Sequence, residues 1–176
     1  MSSPLEDPTA YYYISSDLYG LDVLLNDGYN PKSPKTLYLN NVIHSSSNWQ
    51  VFYQDSVYFL RNYDYGAQYQ LGINQSNSAT EPQLLLTSGD LSQQWNMTLW
   101  PDGTRKLTNM AIGEFQYLGV SNTTGGTIIP AMNTAEQGSH WTFNINSSPG
   151  NTTDAMQAPL PSVAVSCEQN RRRRRH

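Results

Sequence analysis

The chain has 176 residues, enough for one domain with a proper hydrophobic core and a tail. Hydrophobic residues make up 38% and charged residues only 14%, which excludes a highly charged disordered chain and leaves most polarity to Ser, Thr, Asn, Gln and Tyr. A formal net charge of −4 excludes global attraction to nucleic acid or anionic membranes, and no apolar run approaches the roughly 20 residues of a membrane span.

In chain order the predicted elements are all short strands, in keeping with the preference of Tyr, Thr and Val for pleated, half-buried surfaces. The first group covers residues 10–15, 21–25, 36–40 and 49–54, with turn signals at 17–20, at Asn26-Asp27-Gly28, and at Asn30-Pro31 with Pro34. The second group covers 57–61, 69–73, 83–87 and 94–99, and the third 106–109, 116–120, 127–132 and 141–146. No stretch holds a 3.6-residue apolar period long enough to predict a helix. The expectation is an all-β domain of twelve strands, four per group.

The grouping follows from a period. Trp49, Trp95 and Trp141 are separated by 46 residues and again by 46, each after polar residues and before an alternating strand. A fixed interval of this size marks copies of one supersecondary unit that cannot bury its apolar face alone. Gly20, Gly66 and Gly113 recur at turns where a positive φ is expected. Leu21-Asp22-Val23, Leu71-Gly72-Ile73 and Leu118-Gly119-Val120 are taken as corresponding second strands, with loop lengths that differ by a few residues.

Three units of four strands, each closed by a Gln-x-Trp-like element, resemble the ricin B-type lectin domain, a β-trefoil. The full element stands at Gln93-Gln94-Trp95; Ser47-Asn48-Trp49 and Ser139-His140-Trp141 carry Ser in place of Gln. Phrases such as Arg61-Asn62-Tyr63-Asp64-Tyr65-Gly66 look like fungal members of the group. The resemblance implies a domain over 8–148, with repeats of about 9–54, 55–101 and 102–148. It also implies that Trp49, Trp95 and Trp141 are core and not sugar contacts. Residues 149–176 are expected to be a flexible tail rich in Ser, Pro and Asn, ending in arginines from Arg171 to Arg175.

In this family a carboxylate, an aromatic platform and a polar amide form a shallow sugar pocket. Asp22 matches the carboxylate, Tyr38 the platform, and Ser46 and Ser47 fall at the amide positions, for which Asn40 or Asn41 could substitute. Gly72 and Gly119 leave the second and third repeats without the acid. The implied function is non-catalytic, lectin-like binding of galactose-type or related glycans and glycoproteins, weak and mainly through the first repeat. The alternative keeps the trefoil as a protein-interaction or protease-inhibitor scaffold with decayed sugar sites. There, Tyr63, Tyr65 and Tyr69 with Asp64 would form a different, exposed pocket or contact loop.

No nucleophile, zinc-protease or phosphate-loop motif is present, so no enzyme, cofactor or metal is expected. Cys167 stands without a partner cysteine, and the histidines are His44, His140 and His176. No specific nucleic-acid partner is expected. Five sequons, at Asn74, Asn96, Asn122, Asn146 and Asn151, point toward an extracellular or cell-surface setting, although no signal peptide is visible and Asn96 directly follows Trp95 in an expected strand, an awkward place for a glycan.

Overall fold

A computed structural model describes residues 5, 7, 9–28, 35–76 and 80–147. The Asn30-Pro31 and Pro34 turn, the Asn151 sequon and the tail with Cys167, Arg171 to Arg175 and His176 lie outside the described residues. Twelve strands follow in order: β1 Tyr11–Ser16, β2 Leu24–Asp27, β3 Lys35–Asn40, β4 Trp49–Gln54, β5 Val57–Asn62, β6 Tyr69–Asn74, β7 Glu81–Leu86, β8 Trp95–Leu99, β9 Arg105–Asn109, β10 Tyr117–Asn122, β11 Ile128–Asn133 and β12 Trp141–Asn146. Eleven coincide with the predicted strands to within two residues at each end. The exception is β2, which begins three residues later than the sequence suggested.

Six strands close a ring through the antiparallel pairs β1–β4, β4–β5, β5–β8, β8–β9, β9–β12 and β12–β1. The other six form the hairpins β2–β3, β6–β7 and β10–β11, and β3 pairs with both β7 and β11. This is a β-trefoil: a barrel without free edges, capped by three hairpins. Alternation sets which side chains enter the core. In β8, Trp95 and Met97 are buried while Asn96 and Thr98 face outward. In β4 and β5 both faces are covered, because Phe52 and Phe59 pack on the outer side with the Arg61 guanidinium 4.8 Å from the Phe52 ring centroid.

Trp49, Trp95 and Trp141 are each 0% exposed and belong to one core cluster. Each indole N–H donates to a leucine carbonyl in the second strand of its own repeat: Leu25 at 2.8 Å, Leu71 at 2.9 Å and Leu118 at 2.7 Å. Five residues before each of these leucines stands the expected glycine turn, with φ of 86° at Gly20, 62° at Gly66 and 96° at Gly113.

The repeats are joined to one another by a second set of equivalent bonds. The carbonyl of the residue before each tryptophan accepts a backbone N–H from the next repeat. These bonds are Tyr63 to Asn48, Met110 to Gln94 and Asp17 to His140, each at 2.9 Å. Beside them, Asn62 donates to the Ser46 carbonyl at 2.7 Å, Asn109 to Ser92 at 2.8 Å and the Ser16 hydroxyl to Gly138 at 2.9 Å. The third joint returns to the first repeat, so the set is cyclic.

Burying one indole contributes about 2–3 kcal/mol, a large share of a domain stability of about 5–15 kcal/mol. Trp95→Phe keeps most of the apolar area but strands the Leu71 carbonyl, which costs about 1–3 kcal/mol. Urea unfolding should show that loss, with losses of similar size for Trp49→Phe and Trp141→Phe.

Candidate functional site

The bond from Trp49 fixes how the repeats correspond. Because the indoles bond Leu25, Leu71 and Leu118, the counterparts of Gly72 and Gly119 is not Asp22 but Asn26. The expected correspondence of Leu21-Asp22-Val23 with the two glycine segments is therefore corrected by four residues. Asp22 lies in the exposed turn before β2, at the place held by Gln68 and Phe115 in the other repeats.

Asn26 is fully buried and organises the outer face of the β2–β3 hairpin. Its Nδ2 donates to the Leu24 carbonyl at 2.9 Å and to Asn40 Oδ1 at 2.8 Å, and its Oδ1 accepts the Ser47 hydroxyl. Ser47 is 0% exposed and also accepts the His44 N–H at 2.9 Å. Asn40 accepts the Val42 N–H at 3.2 Å. Of the expected site residues, Asn40 and Ser47 are thus brought together, through a residue that sequence reasoning missed. Tyr38 pairs with Asn26 across the hairpin, half-buried beside Gly28, and Asn41 is exposed just beyond β3. Asp22 makes no bond to this cluster.

The same space is filled differently in each repeat. In the second, a Cβ added at Gly72 would lie 2.9 Å from Leu85 Cδ1 and 3.0 Å from Gln93 Cγ. Gln93 reaches in to bond Gln70 at 2.8 Å and the Leu86 carbonyl at 2.6 Å. In the third, a Cβ at Gly119 would lie 2.6 Å from Asn133 Nδ2. The filler is Asn26 beside a short Ser47, Gln93 beside Gly72, and Asn133 beside Gly119 with a short Ser139. A carboxylate does not fit at 72 or 119 without displacing these side chains.

The expected tyrosine loop is corrected in part. Tyr63 is 7% and Asp64 6% exposed, with Tyr63 edge-on to Tyr11 at 5.2 Å. Tyr65 and Tyr69 are half-buried, edge to face at 5.4 Å, and the Tyr65 hydroxyl donates to the Gly28 carbonyl at 3.4 Å. A phenol with an internal partner for its polar tip packs well inside.

A further polar assembly, also missed, sits where the β8–β9 turn meets the approach to β12. His140 Nδ1 lies 2.8 Å from both Asp102 Oδ2 and Thr104 Oγ1, and its Nε2 lies 3.2 Å from Glu136 Oε1. The imidazole stacks on Trp100 at 4.7 Å and 10°, while the Trp100 N–H donates to the Ser139 carbonyl at 3.1 Å. The Lys106 ammonium stands 4.9 Å from the same indole centroid. Trp100, a tryptophan outside the 46-residue period and followed by Pro101-Asp102-Gly103, was the available sequence signal. An acid at each ring nitrogen pins the β8–β9 turn to the approach to β12. Among the described residues no group of three His, Cys, Asp or Glu is arranged to hold a metal.

Comparison with known proteins places the fold. No family model matches the chain, and no curated protein matches it. Among solved structures, a GlcNAcα1-4Gal-releasing endo-β-galactosidase from Clostridium perfringens aligns at 15% identity and TM-score 0.61, over 78% of this chain and 33% of that one. The Polyporus squamosus lectin bound to Neu5Acα2-6Galβ1-4GlcNAc aligns at 20% identity and TM-score 0.56, over 77% and 48%. The designed threefold-symmetric protein ThreeFoil aligns at 18% and 0.58, over 76% and 97%. The chain spans a third of the first of these and about half of the second. All three share its β-trefoil fold, the architecture of ricin B-like lectins.

Two outcomes follow for the site. Gly72→Asn should destabilise by about 1–3 kcal/mol through overpacking, and Gln93→Ser in the same chain should restore part of that loss, a coupling that a double-mutant cycle in urea would read. For the pin, burial opposes the charged form of His140, but hydrogen bonds to Asp102 and Glu136 and nearby negative charge outweigh it and raise its pKa. Hydrogen bonds from the Thr104 side chain and backbone, then from His140, lower that of Asp102. The His140 contribution to stability is complete below the ordinary imidazole value of about 6.5 and disappears as pH rises through the raised folded value. The Asp102 contribution persists above the ordinary carboxylate range and fades as pH falls through its lowered value. The Tm advantage over His140→Gln should therefore shrink as pH rises from the ordinary imidazole value through the raised folded one.

Proposed function

We propose that the protein is a non-catalytic carbohydrate-binding domain of lectin type, acting outside the cell on galactose-type or related glycans of glycoproteins. Binding is weak and runs mainly through the first repeat. The observation that supports this placement is the set of accessible groups around the β2–β3 hairpin. Asp22 and Asn41 are exposed and Tyr38 is half-buried there. Gln68, Leu86 and Gln83 take these places in the second repeat, and Phe115, Thr134 and Ala131 in the third. A carboxylate accepts bonds from adjacent sugar hydroxyls, a phenol ring packs on the C–H face, and an amide reads the remaining hydroxyl. Asn40 and Ser47 act behind them by holding Asn26. A single shallow site gains strength from clustered glycans.

A second reading, the protein-interaction or inhibitor scaffold, is favoured by one observation: the Phe115 ring is 82% exposed on the loop before β10.

A glycan array probed with the full chain tests the first reading. Binding to terminal galactosides, reduced at least about tenfold by Asp22→Ala or by Tyr38→Ala, is the expected outcome; a tenfold change corresponds to about 1.4 kcal/mol. A silent array, with Phe115→Ala abolishing capture of a protein ligand, would replace it with the second.

A further inference from the structure

Four of the five sequons lie at described asparagines, and the fold treats them differently. Asn146, the last residue of β12, donates from Nδ2 to Asn48 Oδ1 at 2.6 Å, and Asn48 is 0% exposed inside the joint between the first and second repeats. Asn74, at the end of β6, donates from Nδ2 to Gln83 Oε1 at 3.2 Å, and Gln83 is buried. The Asn146 nitrogen is thus aimed into that joint, whereas Asn74 is half-buried and its Oδ1 accepts the N–H of the exposed Ser76 at 3.0 Å.

The other two face solvent. Asn96 lies on β8 between the buried Trp95 and Met97, so alternation turns it outward together with the exposed Thr98, the third residue of its sequon. Asn122, the last residue of β10, is exposed, as are Thr123 and Thr124. Its Oδ1 accepts the Tyr19 hydroxyl at 3.2 Å, which fixes the amide and leaves Nδ2 directed away from that bond. Among the described residues, neither Asn96 nor Asn122 has its Nδ2 in a hydrogen bond.

We propose that Asn96 and Asn122 are N-linked glycosylation sites, and that the fold bars Asn146 from carrying a glycan in the native state. The donor is a lipid-pyrophosphate-linked oligosaccharide of the secretory pathway. Asparagine Nδ2 bonds to the anomeric carbon as the anomeric C–O bond breaks. The lipid pyrophosphate departs with the electron pair, and one Nδ2 proton passes to base. The remaining N–H and the amide oxygen stay available, so Asn122 keeps its bond from Tyr19. At Asn146 a sugar on Nδ2 would lie beside the wholly buried Asn48 side chain, at the joint between repeats. Burial of a bulky polar group there has no compensating partner.

The proposal rests on the extracellular setting proposed above, and the test separates the two. The unmodified full chain, preceded by a cleavable leader, is secreted from a eukaryotic host, and site occupancy is read by peptide mass spectrometry. Glycan on most molecules at Asn96 and Asn122, with Asn146 bare, is expected. Asn96→Gln and Asn122→Gln should each remove one glycan step from the gel mobility of the secreted protein. Bare Asn96 and Asn122, or a glycan on Asn146 in folded secreted protein, would overturn the assignment. Either result leaves binding on the glycan array unaffected as evidence.

Discussion

Three indole N–H groups bonded to three leucine carbonyls constrain everything else in this molecule. A tryptophan can enter a core only if its one donor finds an acceptor there, and the second strand of each repeat supplies it at Leu25, Leu71 and Leu118. That requirement fixes the register between the closing strand of a repeat and its cap hairpin. With the register fixed, the carbonyl just before each tryptophan points at the following repeat and accepts its N–H. Core packing and barrel closure are therefore aspects of one geometric condition, met three times.

The condition leaves one small volume per repeat unassigned, between the second strand, the third strand and the residue two before tryptophan. Asn26, Gln93 and Asn133 fill it from three different positions. Dense interiors tolerate such exchanges when volume is conserved. The exchange also decides the surface chemistry. In the first repeat, the buried Asn26 holds Asn40 and Ser47, while Asp22, Tyr38 and Asn41 remain reachable. In the other two, glycine stands opposite a side chain already in place. Near-threefold packing thus coexists with surfaces that differ from repeat to repeat.

Much of this was legible in the sequence. The tryptophan period gave the strand count and the grouping, because a residue needed at one point of each unit recurs at a fixed interval. The glycine turns were legible for the same reason. Asp22 was misplaced because Leu21-Asp22-Val23 looked like the glycine segments by residue type. The constant interval of five from Gly20, Gly66 and Gly113 to Leu25, Leu71 and Leu118 was the sounder guide. The tyrosine loop was read as exposed because phenols suit either environment, and only the Tyr11 ring and the Gly28 carbonyl decide which. The His140 pin joins residues up to 38 apart through side-chain geometry that carries no period at all.

The outermost strands of the barrel are zipped together along six pairs, from Tyr11 opposite Asn146 to Ser16 opposite Trp141. Residues from the two extremes of the domain must meet before any ring exists, and distant pairings of this kind slow folding. During synthesis the opening repeat waits, its hairpin and indole in hand, while the 92 residues from Asp55 to Asn146 leave the ribosome. A nascent trefoil of two repeats offers an open seam on both sides, so the period most vulnerable to aggregation ends only when β12 emerges.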